Sequence, residues 1–267
     1  TLELFVPVGA DPGARVNISE VGYVYRGAGL TDNAREASRA SGSCEVDVNC
    51  SEGSNWQDEK RGVCRMVIKN GTSQYLCTGS LMNNTAQDCT PYVLLADHCA
   101  YSNAYATAAN MLQWVFYFHY EAAACGGSYS SGQKTKVGCT LLAHDTYGST
   151  ESGSDFYLVQ LVQSINSSDN IYYNGWSRST TASTSGVGIH HPDGDIKKIS
   201  TYSTTLSSAG VTHWTVYWVA TTNGHGVTEG GSSGSPLFNP SGLVVGTLTR
   251  GSSTSTALTS PDYYGKM

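Results

Sequence analysis

Short apolar runs, separated by clusters of glycine, asparagine, serine and aspartate, dominate the chain from residue 44 onward. The runs are rich in β-branched, leucine and aromatic residues, and most have the length of a strand rather than of a helix. They predict strands over residues 63–68, 91–96, 111–120, 156–162, 187–189, 214–219, 236–238 and 243–248. No long segment shows the 3.6-residue period of an amphipathic helix. The pattern therefore favours an all-β fold of the barrel or sandwich type.

The first 43 residues differ from the rest of the chain. Two more strands are predicted there, over residues 4–8 and 21–25, followed by a polar and charged stretch at 31–39 and by Ala-Ser-Gly-Ser at 40–43. Such a change of composition is typical of a linker or a processing site. Residues 1–6 lack the basic and apolar regions of a signal peptide, so an exported protein would already have lost its signal from this sequence.

Composition narrows the class of protein. Charged residues make up only 13% of the 267 residues, and the 30 glycines and 17 tyrosines disfavour a helical bundle. The net charge of -6 and the lack of any polybasic run argue against nucleic acid or an anionic membrane surface as a partner. No apolar stretch approaches the ~20 residues of a membrane span.

Eight cysteines lie between residues 44 and 139, and none forms a Cys-x-x-Cys pair. An even number without that spacing favours disulfides in an oxidising compartment over a zinc site, which points to a secreted protein. Buried reduced thiols are the alternative reading.

Three segments carry the groups of a nucleophilic hydrolase. His98 follows an apolar run and precedes a cysteine, Asp155 enters another apolar run, and Ser233 lies in a Gly/Ser run. Taken singly, such segments are more often a structural histidine, a turn aspartate and a flexible loop. Their order, each at the edge of a predicted strand, instead predicts a base, its orienting acid and a hydroxyl nucleophile on separate loops of a β scaffold.

The sequence of these segments resembles that of the chymotrypsin-fold serine endopeptidases, and within them the bacterial lysyl endopeptidases. Residues 95–99 (Leu-Ala-Asp-His-Cys) match the histidine motif except at the first position, and residues 226–236 (Gly-Val-Thr-Glu-Gly-Gly-Ser-Ser-Gly-Ser-Pro) match the serine motif. Shorter matches lie at 41–44, 77–81, 83–85 and 189–192, so the likeness runs from about residue 41 to the end.

The resemblance implies two antiparallel six-stranded β-barrels with the site in the cleft between them. Residues 44–162 would form the N-terminal barrel, residues 163–267 the C-terminal barrel, and residues 1–43 a residual pro-region and linker. It also implies a secreted, monomeric endopeptidase that acts on proteins or peptides without a cofactor. Ser233 would attack the scissile carbonyl, His98 would take its proton and Asp155 would orient the imidazole, while the N–H groups of Gly231 and Ser233 would bind the oxyanion.

The expected substrate pocket follows the same resemblance. The position that holds the pocket aspartate in trypsin is Val227 here, whereas lysyl endopeptidases place their acid downstream, where Asp262 precedes Tyr-Tyr-Gly. Asp262 is therefore expected to pair with a substrate lysine, with Thr228 in the pocket wall. The alternative is a solvated turn aspartate after Pro261.

Two departures from the family bear on specificity. Thr249 replaces a histidine whose tryptophan partner is also missing from residues 204–210, and Arg250 replaces a glycine at the pocket mouth. Arg250 would narrow the entrance, pair with Asp262 or repel a basic substrate. Broad or different specificity, and a catalytically silent homologue that binds peptides, therefore remain as alternatives.

The resemblance implies two disulfides, Cys77–Cys99 and Cys50–Cys125. Cys44 matches a cysteine whose family partner lies near the C-terminus, but residues 252–267 contain no cysteine. Three pairings of the remaining four cysteines therefore stay open: Cys44, Cys64, Cys89 and Cys139.

Other positions carry expectations about activation and metals. Residue 232 is serine where trypsin-like zymogens need an aspartate for the new amino terminus, so we expect another route, with removal of the pro-region near Arg39. The sequence ends before the family's last strand and C-terminal helix, so a truncated second barrel with an open edge is expected.

His190 and His191 are adjacent on a predicted strand and would point to opposite faces, so no metal site is expected.

Overall fold

The computed structural model describes residues 41–146 and 153–267. The strands predicted at 4–8 and 21–25 and the processing site predicted near Arg39 lie outside these ranges. Fifteen strands lie within them: β1 (Val46–Asp47), β2 (Val63–Asn70), β3 (Ser73–Met82), β4 (Tyr92–Ala96), β5 (Val115–Phe118), β6 (Lys134–Val137), β7 (Cys139–Asp145), β8 (Phe156–Leu161), β9 (Gly186–His190), β10 (Lys198–Tyr202), β11 (Ser207–Ala209), β12 (His213–Val216), β13 (Pro236–Phe238), β14 (Val244–Gly251) and β15 (Asp262–Lys266).

The described helices are all short. Three are α-helical: α1 (Glu59–Gly62), α2 (Asp97–Ala100) and α3 (Ala108–Met111). Three are single turns of 3-10 helix: Ser51–Gly53, Ser167–Asp169 and Pro192–Gly194. None of the helices in residues 41–146 and 153–267 has the length and apolar character needed to cross a membrane.

The strands form two antiparallel sheets, so the predicted all-β, double-barrel class is confirmed. One sheet has the order β6-β5-β2-β3-β4-β8-β7 and the other β1-β10-β9-β13-β14-β15-β12-β11. The expectation of six strands in each barrel is wrong, because these sheets have seven and eight. β1 lies in the range assigned to the N-terminal barrel but pairs with β10, where Lys198 Nζ lies 2.5 Å from Asp47 Oδ1.

Each sheet encloses its own apolar core. The first core contains Trp114, Phe116 and Tyr157, and the second contains Trp214, Trp218 and Tyr264. β8 alternates between half-buried and buried positions, as expected for a strand with one face on a core, whereas β2 is buried along nearly all its length.

A third cluster joins the two barrels. It combines Met82 and Leu94 of the first sheet with Ile189, Phe238 and Val244 of the second. This apolar contact sets the two sheets against each other, so loops from both can meet at one cleft.

Two expectations about the strands differ from the structure. Residues 111–120 form a strand only at β5, because Thr107 caps the short helix α3 just before it. The predicted open edge after truncation is not found at β15, which pairs with β14 on one side and β12 on the other.

Candidate active site

His98 and Asp155 meet at the end of two neighbouring strands. β4 leads directly into α2, which carries His98, and β8 begins immediately after Asp155. Asp155 Oδ2 lies 2.7 Å from His98 Nδ1, and Asp155 Oδ1 accepts a hydrogen bond of 2.9 Å from the His98 backbone N–H. The Asp155 side chain is fully buried, whereas the His98 ring is 41% exposed. This geometry favours the tautomer with the proton on Nδ1, which leaves Nε2 able to accept a proton at the surface.

Asp155 has an unusual backbone conformation. Its φ of 56° lies in the left-handed region, which non-glycine residues seldom adopt. Two interactions hold it there: its carbonyl accepts a 3.0 Å hydrogen bond from the Asp97 N–H, and Phe156 pairs with Ala96 across the sheet. The fold therefore aims the carboxylate at His98 through the register of β4 and β8.

The loop that carries Ser233 is docked on the first barrel. Thr78 of β3 donates from its N–H to the Ser233 carbonyl at 2.9 Å and from its Oγ1 to the Gly231 carbonyl at 2.9 Å. The Ser233 carbonyl also lies 3.7 Å from Cys99 Sγ, in the residue that follows His98. The structure thus brings the loop of Ser233 beside the helix turn of His98, although the two are far apart in sequence.

Glycines at 231 and 234 allow this close docking. Both have positive φ, 90° and 84°. A Cβ atom at Gly234 would lie 2.4 Å from the Thr78 carbonyl, and one at Gly231 would lie 3.0 Å from the His191 carbonyl. A side chain at Gly234 would therefore push the loop of Ser233 off the first barrel.

Both implied disulfides are present, and one of them holds the turn of His98. Cys77 of β3 is bonded to Cys99 of α2, and Cys50 is bonded to Cys125. The four remaining cysteines form none of the pairings left open above and are thiols: Cys44, Cys64, Cys89 and Cys139. Cys64 and Cys139 pack as small apolar groups in the first core, and burial raises the pKa of each to about 12.

Asp262 is buried, unlike the solvated turn residue that was the alternative expectation. It is the first residue of β15 and is 0% exposed. Its Oδ2 accepts hydrogen bonds from Trp218 Nε1 at 2.6 Å, Thr228 Oγ1 at 2.7 Å and Ser253 Oγ at 2.7 Å. Its Oδ1 accepts two more, from the N–H groups of Ser252 and Ser253, both at 3.0 Å. Five neutral donors therefore hold a carboxylate inside the second barrel.

The other predicted pocket residues lie around Asp262. Val227 is buried directly before Thr228, and Thr249 is buried with its Oγ1 3.1 Å from His213 Nε2. Arg250 is exposed, and its guanidinium carbon lies 4.6 Å from the ring centroid of Tyr263, the neighbour of Asp262. The arginine is therefore at the outer side of β14 and stacks on an aromatic ring.

Sequence reasoning missed several groups that the fold brings to the site. Trp218 and Ser253 hold Asp262, and no local motif marks either residue. Asp97 lies in the histidine motif, and its place directly after an apolar run was the signal available in the sequence. Its carboxylate contacts His144 and Tyr105.

His190 and His191, expected to point apart, contact different partners. His190 contacts Ser200 and Ser232, and His191 contacts the Asp195 carbonyl.

Comparison with known proteins shows the family of the chain. Residues 38–265 match the family described as "Lysyl endopeptidase, C-terminal domain". A lysyl endopeptidase of Pseudomonas aeruginosa is 32% identical over 259 residues, which is 91% of this chain but 52% of that protein. The chain thus spans about half the length of this relative.

Solved structures share the fold at low sequence identity. The protease Anisep from Arthrobacter nicotinovorans is 18% identical with a TM-score of 0.55, covering 79% of this chain and 91% of that one. The thermostable serine protease AL20 from an extremophilic microorganism is 12% identical with a TM-score of 0.57, covering 78% and 92%.

Proposed function

Because the chain belongs to the family of lysyl endopeptidase C-terminal domains, we propose that it is a secreted serine endopeptidase that cleaves peptide bonds after lysine. One observation carries the proposal: the buried Asp155 carboxylate lies 2.7 Å from Nδ1 of a partly exposed His98, beside the docked loop of Ser233. A base oriented in this way, next to a serine on a glycine-rich turn, is suited to acyl transfer.

The acylation step uses these groups in turn. The Ser233 hydroxyl oxygen attacks the scissile carbonyl carbon while its proton moves to His98 Nε2. The Asp155 carboxylate stabilises the imidazolium that forms, and the N–H groups of Gly231 and Ser233 donate to the oxyanion. His98 then gives the proton to the leaving amine, the C–N bond breaks, and an ester to Ser233 remains.

Deacylation repeats the sequence with water as nucleophile. His98 takes a proton from the water as its oxygen attacks the ester carbon. The same two N–H groups hold the second oxyanion, and the proton then passes from His98 to the departing Ser233 oxygen. The enzyme returns to its starting state and the carboxylic acid product leaves.

Lysine selectivity follows from the charge at Asp262. The five donors to its carboxylate are neutral, so they solvate the charge without cancelling it. A lysine ammonium in the pocket would supply the missing positive charge, and a substrate without one would leave the buried carboxylate uncompensated. Thr228 links this acid to the nucleophile loop, because its hydroxyl donates to Asp262.

Processing of a zymogen belongs to the same proposal. The carboxylate of Asp195 accepts hydrogen bonds from the Ser41 N–H at 3.1 Å and the Ser41 hydroxyl at 2.8 Å, and Glu229 accepts the Gly42 N–H at 3.0 Å. These contacts favour removal of the preceding residues near Arg39, with Ser41 and Gly42 retained in a monomeric, disulfide-bonded mature enzyme. A mature N-terminus found by mass spectrometry far from residues 35–43 would overturn this part.

A fluorophosphonate probe tests the enzyme class. Incubation with the probe, followed by peptide mapping, should place the label on Ser233, and the Ser233→Ala variant should remain unlabelled. A wild-type protein that is folded and unlabelled would instead favour a catalytically silent peptide-binding homologue.

Cleavage of a peptide library tests the specificity. The wild type should cut after lysine, and Asp262→Asn should lose that preference while still reacting with the small probe. Asp88→Asn, which changes an exposed acid on a distant loop, serves as the matched control and should cut like the wild type. Cuts without a lysine preference in the wild type would refute the specificity and leave the enzyme class standing.

A further inference from the structure

His190 is a buried histidine that directly supports the nucleophile loop. It ends β9 and is 0% exposed. Its Nδ1 lies 2.9 Å from the hydroxyl of Ser232, the residue directly before Ser233, and its Nε2 lies 3.0 Å from the hydroxyl of Ser200 on β10. No step of the proposed mechanism uses this imidazole.

The hydrogen-bond pattern assigns the direction of each contact. The Ser200 hydroxyl donates its single proton to the Val227 carbonyl at 2.9 Å, so it must accept from His190 Nε2–H. Nδ1 then carries a lone pair and accepts the Ser232 hydroxyl proton, while Ser232 Oγ accepts the Glu229 N–H at 3.2 Å. Each polar atom in this chain of contacts therefore has a compatible partner.

His190 is neutral in this arrangement. Burial, and to a smaller extent the nearby Lys198, lowers its pKa to about 3. An imidazolium has no lone pair and would be unable to accept the Ser232 proton. The chain of hydrogen bonds from Ser232 to Val227 therefore carries no net charge.

This series of hydrogen bonds holds both ends of the segment from Val227 to Ser232. Ser200 holds the Val227 carbonyl, one residue before Thr228 of the predicted lysine pocket. His190 holds the Ser232 side chain, between Gly231 and Ser233. The contacts thus set the distance between the substrate pocket and the N–H groups expected to bind the oxyanion.

We propose that Ser200, His190 and Ser232 form a neutral hydrogen-bonded relay that positions the oxyanion donors, in place of the aspartate–amino-terminus ion pair of trypsin-like enzymes. This inference rests on the proposed function, because it concerns the same N–H groups. The three are positioning residues, since they act on the substrate only through Gly231 and Ser233. The relay does not need a new amino terminus to form, which agrees with the serine at 232.

Kinetics of Ser232→Ala test the relay. Removing one oxyanion donor typically costs about 10²–10³ in rate, so displacing the donors should lower kcat by roughly tenfold to a hundredfold with KM changed less than about twofold. A peptidyl aldehyde, which forms an oxyanion-like adduct, should lose affinity by the same factor, and a product peptide that only fills the pocket should not. Ser232→Thr keeps the hydroxyl and should recover most of the activity. Ser235→Ala, a buried serine of the same loop outside the relay, is the control.

Three results would overturn the relay. In the first, Ser232→Ala has wild-type kcat and aldehyde affinity. In the second, KM alone changes. In the third, ¹⁵N NMR of the wild type shows His190 as an imidazolium or with its proton on Nδ1 between pH 5 and 8. The NMR result does not depend on turnover, so it tests the relay even if the wild type fails to label with the fluorophosphonate, which would count against the proposed function itself.

Discussion

Asp97 turns its carboxylate away from the adjacent His98 and places Oδ1 2.8 Å from Nδ1 of His144. The Tyr105 hydroxyl donates to the other carboxylate oxygen at 2.8 Å. Burial raises the pKa of Asp97, and the hydrogen bonds from Tyr105 and His144 oppose that rise. The contact joins the helix turn of His98 to β7, which pairs with β8 directly after Asp155, so it braces both sides of the His98–Asp155 contact.

Asp97→Ala should therefore destabilise the fold. It would leave the Tyr105 hydroxyl and the His144 ring without their buried acceptor, which costs about 1–3 kcal/mol in unfolding free energy. Urea unfolding measures this loss, and His144→Ala in the Asp97→Ala background should add little, because the pair is already broken. A stability equal to that of the wild type, or strictly additive effects of the two changes, would contradict the brace.

Gly251→Ala should block the proposed lysine pocket. A Cβ at residue 251 would lie 2.5 Å from Asp262 Oδ1 and 2.6 Å from Thr228 Oγ1, two atoms that hydrogen bonds hold in place. We expect kcat/KM for lysine substrates to fall by about tenfold or more, given the ~1–3 kcal/mol that one misplaced methyl group costs in a pocket. Labelling of Ser233 by the small probe should persist.

Gly132→Ala is the control for the pocket change, because a Cβ at that position meets nothing within 4 Å. If Gly251→Ala cleaves lysine substrates as fast as this control, Asp262 does not lie in the substrate pocket.

Arg250→Gly should raise kcat/KM for lysine substrates. Arg250 stacks on Tyr263, the neighbour of Asp262, so in the proposed pocket its positive charge would lie near an incoming basic side chain. Removing a repulsion of ~1 kcal/mol, the scale for two unit charges about 4 Å apart in water, gives a gain of several-fold. Arg250→Lys keeps the charge and should show a smaller gain. An unchanged or lower kcat/KM in Arg250→Gly would refute the repulsion.

Glu45→Gln should change how stability depends on pH. The Glu45 carboxyl is buried 3.8 Å from His190 Nε2, and burial, with the nearby Glu229, raises its pKa well above 4.5. The folded protein therefore keeps this proton at pH values where the unfolded chain has lost it, so the contribution of Glu45 to the unfolding free energy falls as pH rises above 4.5.

Urea unfolding at pH 5 and pH 8 measures this effect. The variant should gain stability relative to the wild type as pH rises, because glutamine has no proton to lose. The depressed pKa of His190 gives the opposite dependence in both proteins, so the measurement compares the variant with the wild type at each pH. A difference that stays constant with pH would mean that Glu45 is ionised in the folded state.

The sequence predicted those features that depend on local pattern. Apolar runs predicted most central strands, the family motifs named His98 and Ser233, and the position of Asp155 before an apolar run completed the set. β3 was missed because its first half is polar and partly exposed. β10 was missed because it begins at Lys198, a buried lysine whose partner Asp47 is 151 residues away.

Long-range contacts explain the remaining gaps in the site. The sequence indicated that His190 and His191 would point apart, but not that His190 would reach Ser232 in a loop 42 residues later. Likewise, five donors from three separate segments hold Asp262, and only the folded chain brings them together.

The most direct test of the central claim is a double-mutant comparison of turnover. His98 and Ser233 are proposed to act as one unit, so kcat/KM should fall by roughly 10⁴-fold or more in His98→Ala and in Ser233→Ala, and the double variant should be about as slow as either. If the two losses instead multiply, or if Ser233→Ala retains wild-type turnover, then the hydroxyl and the imidazole do not work together and the account fails.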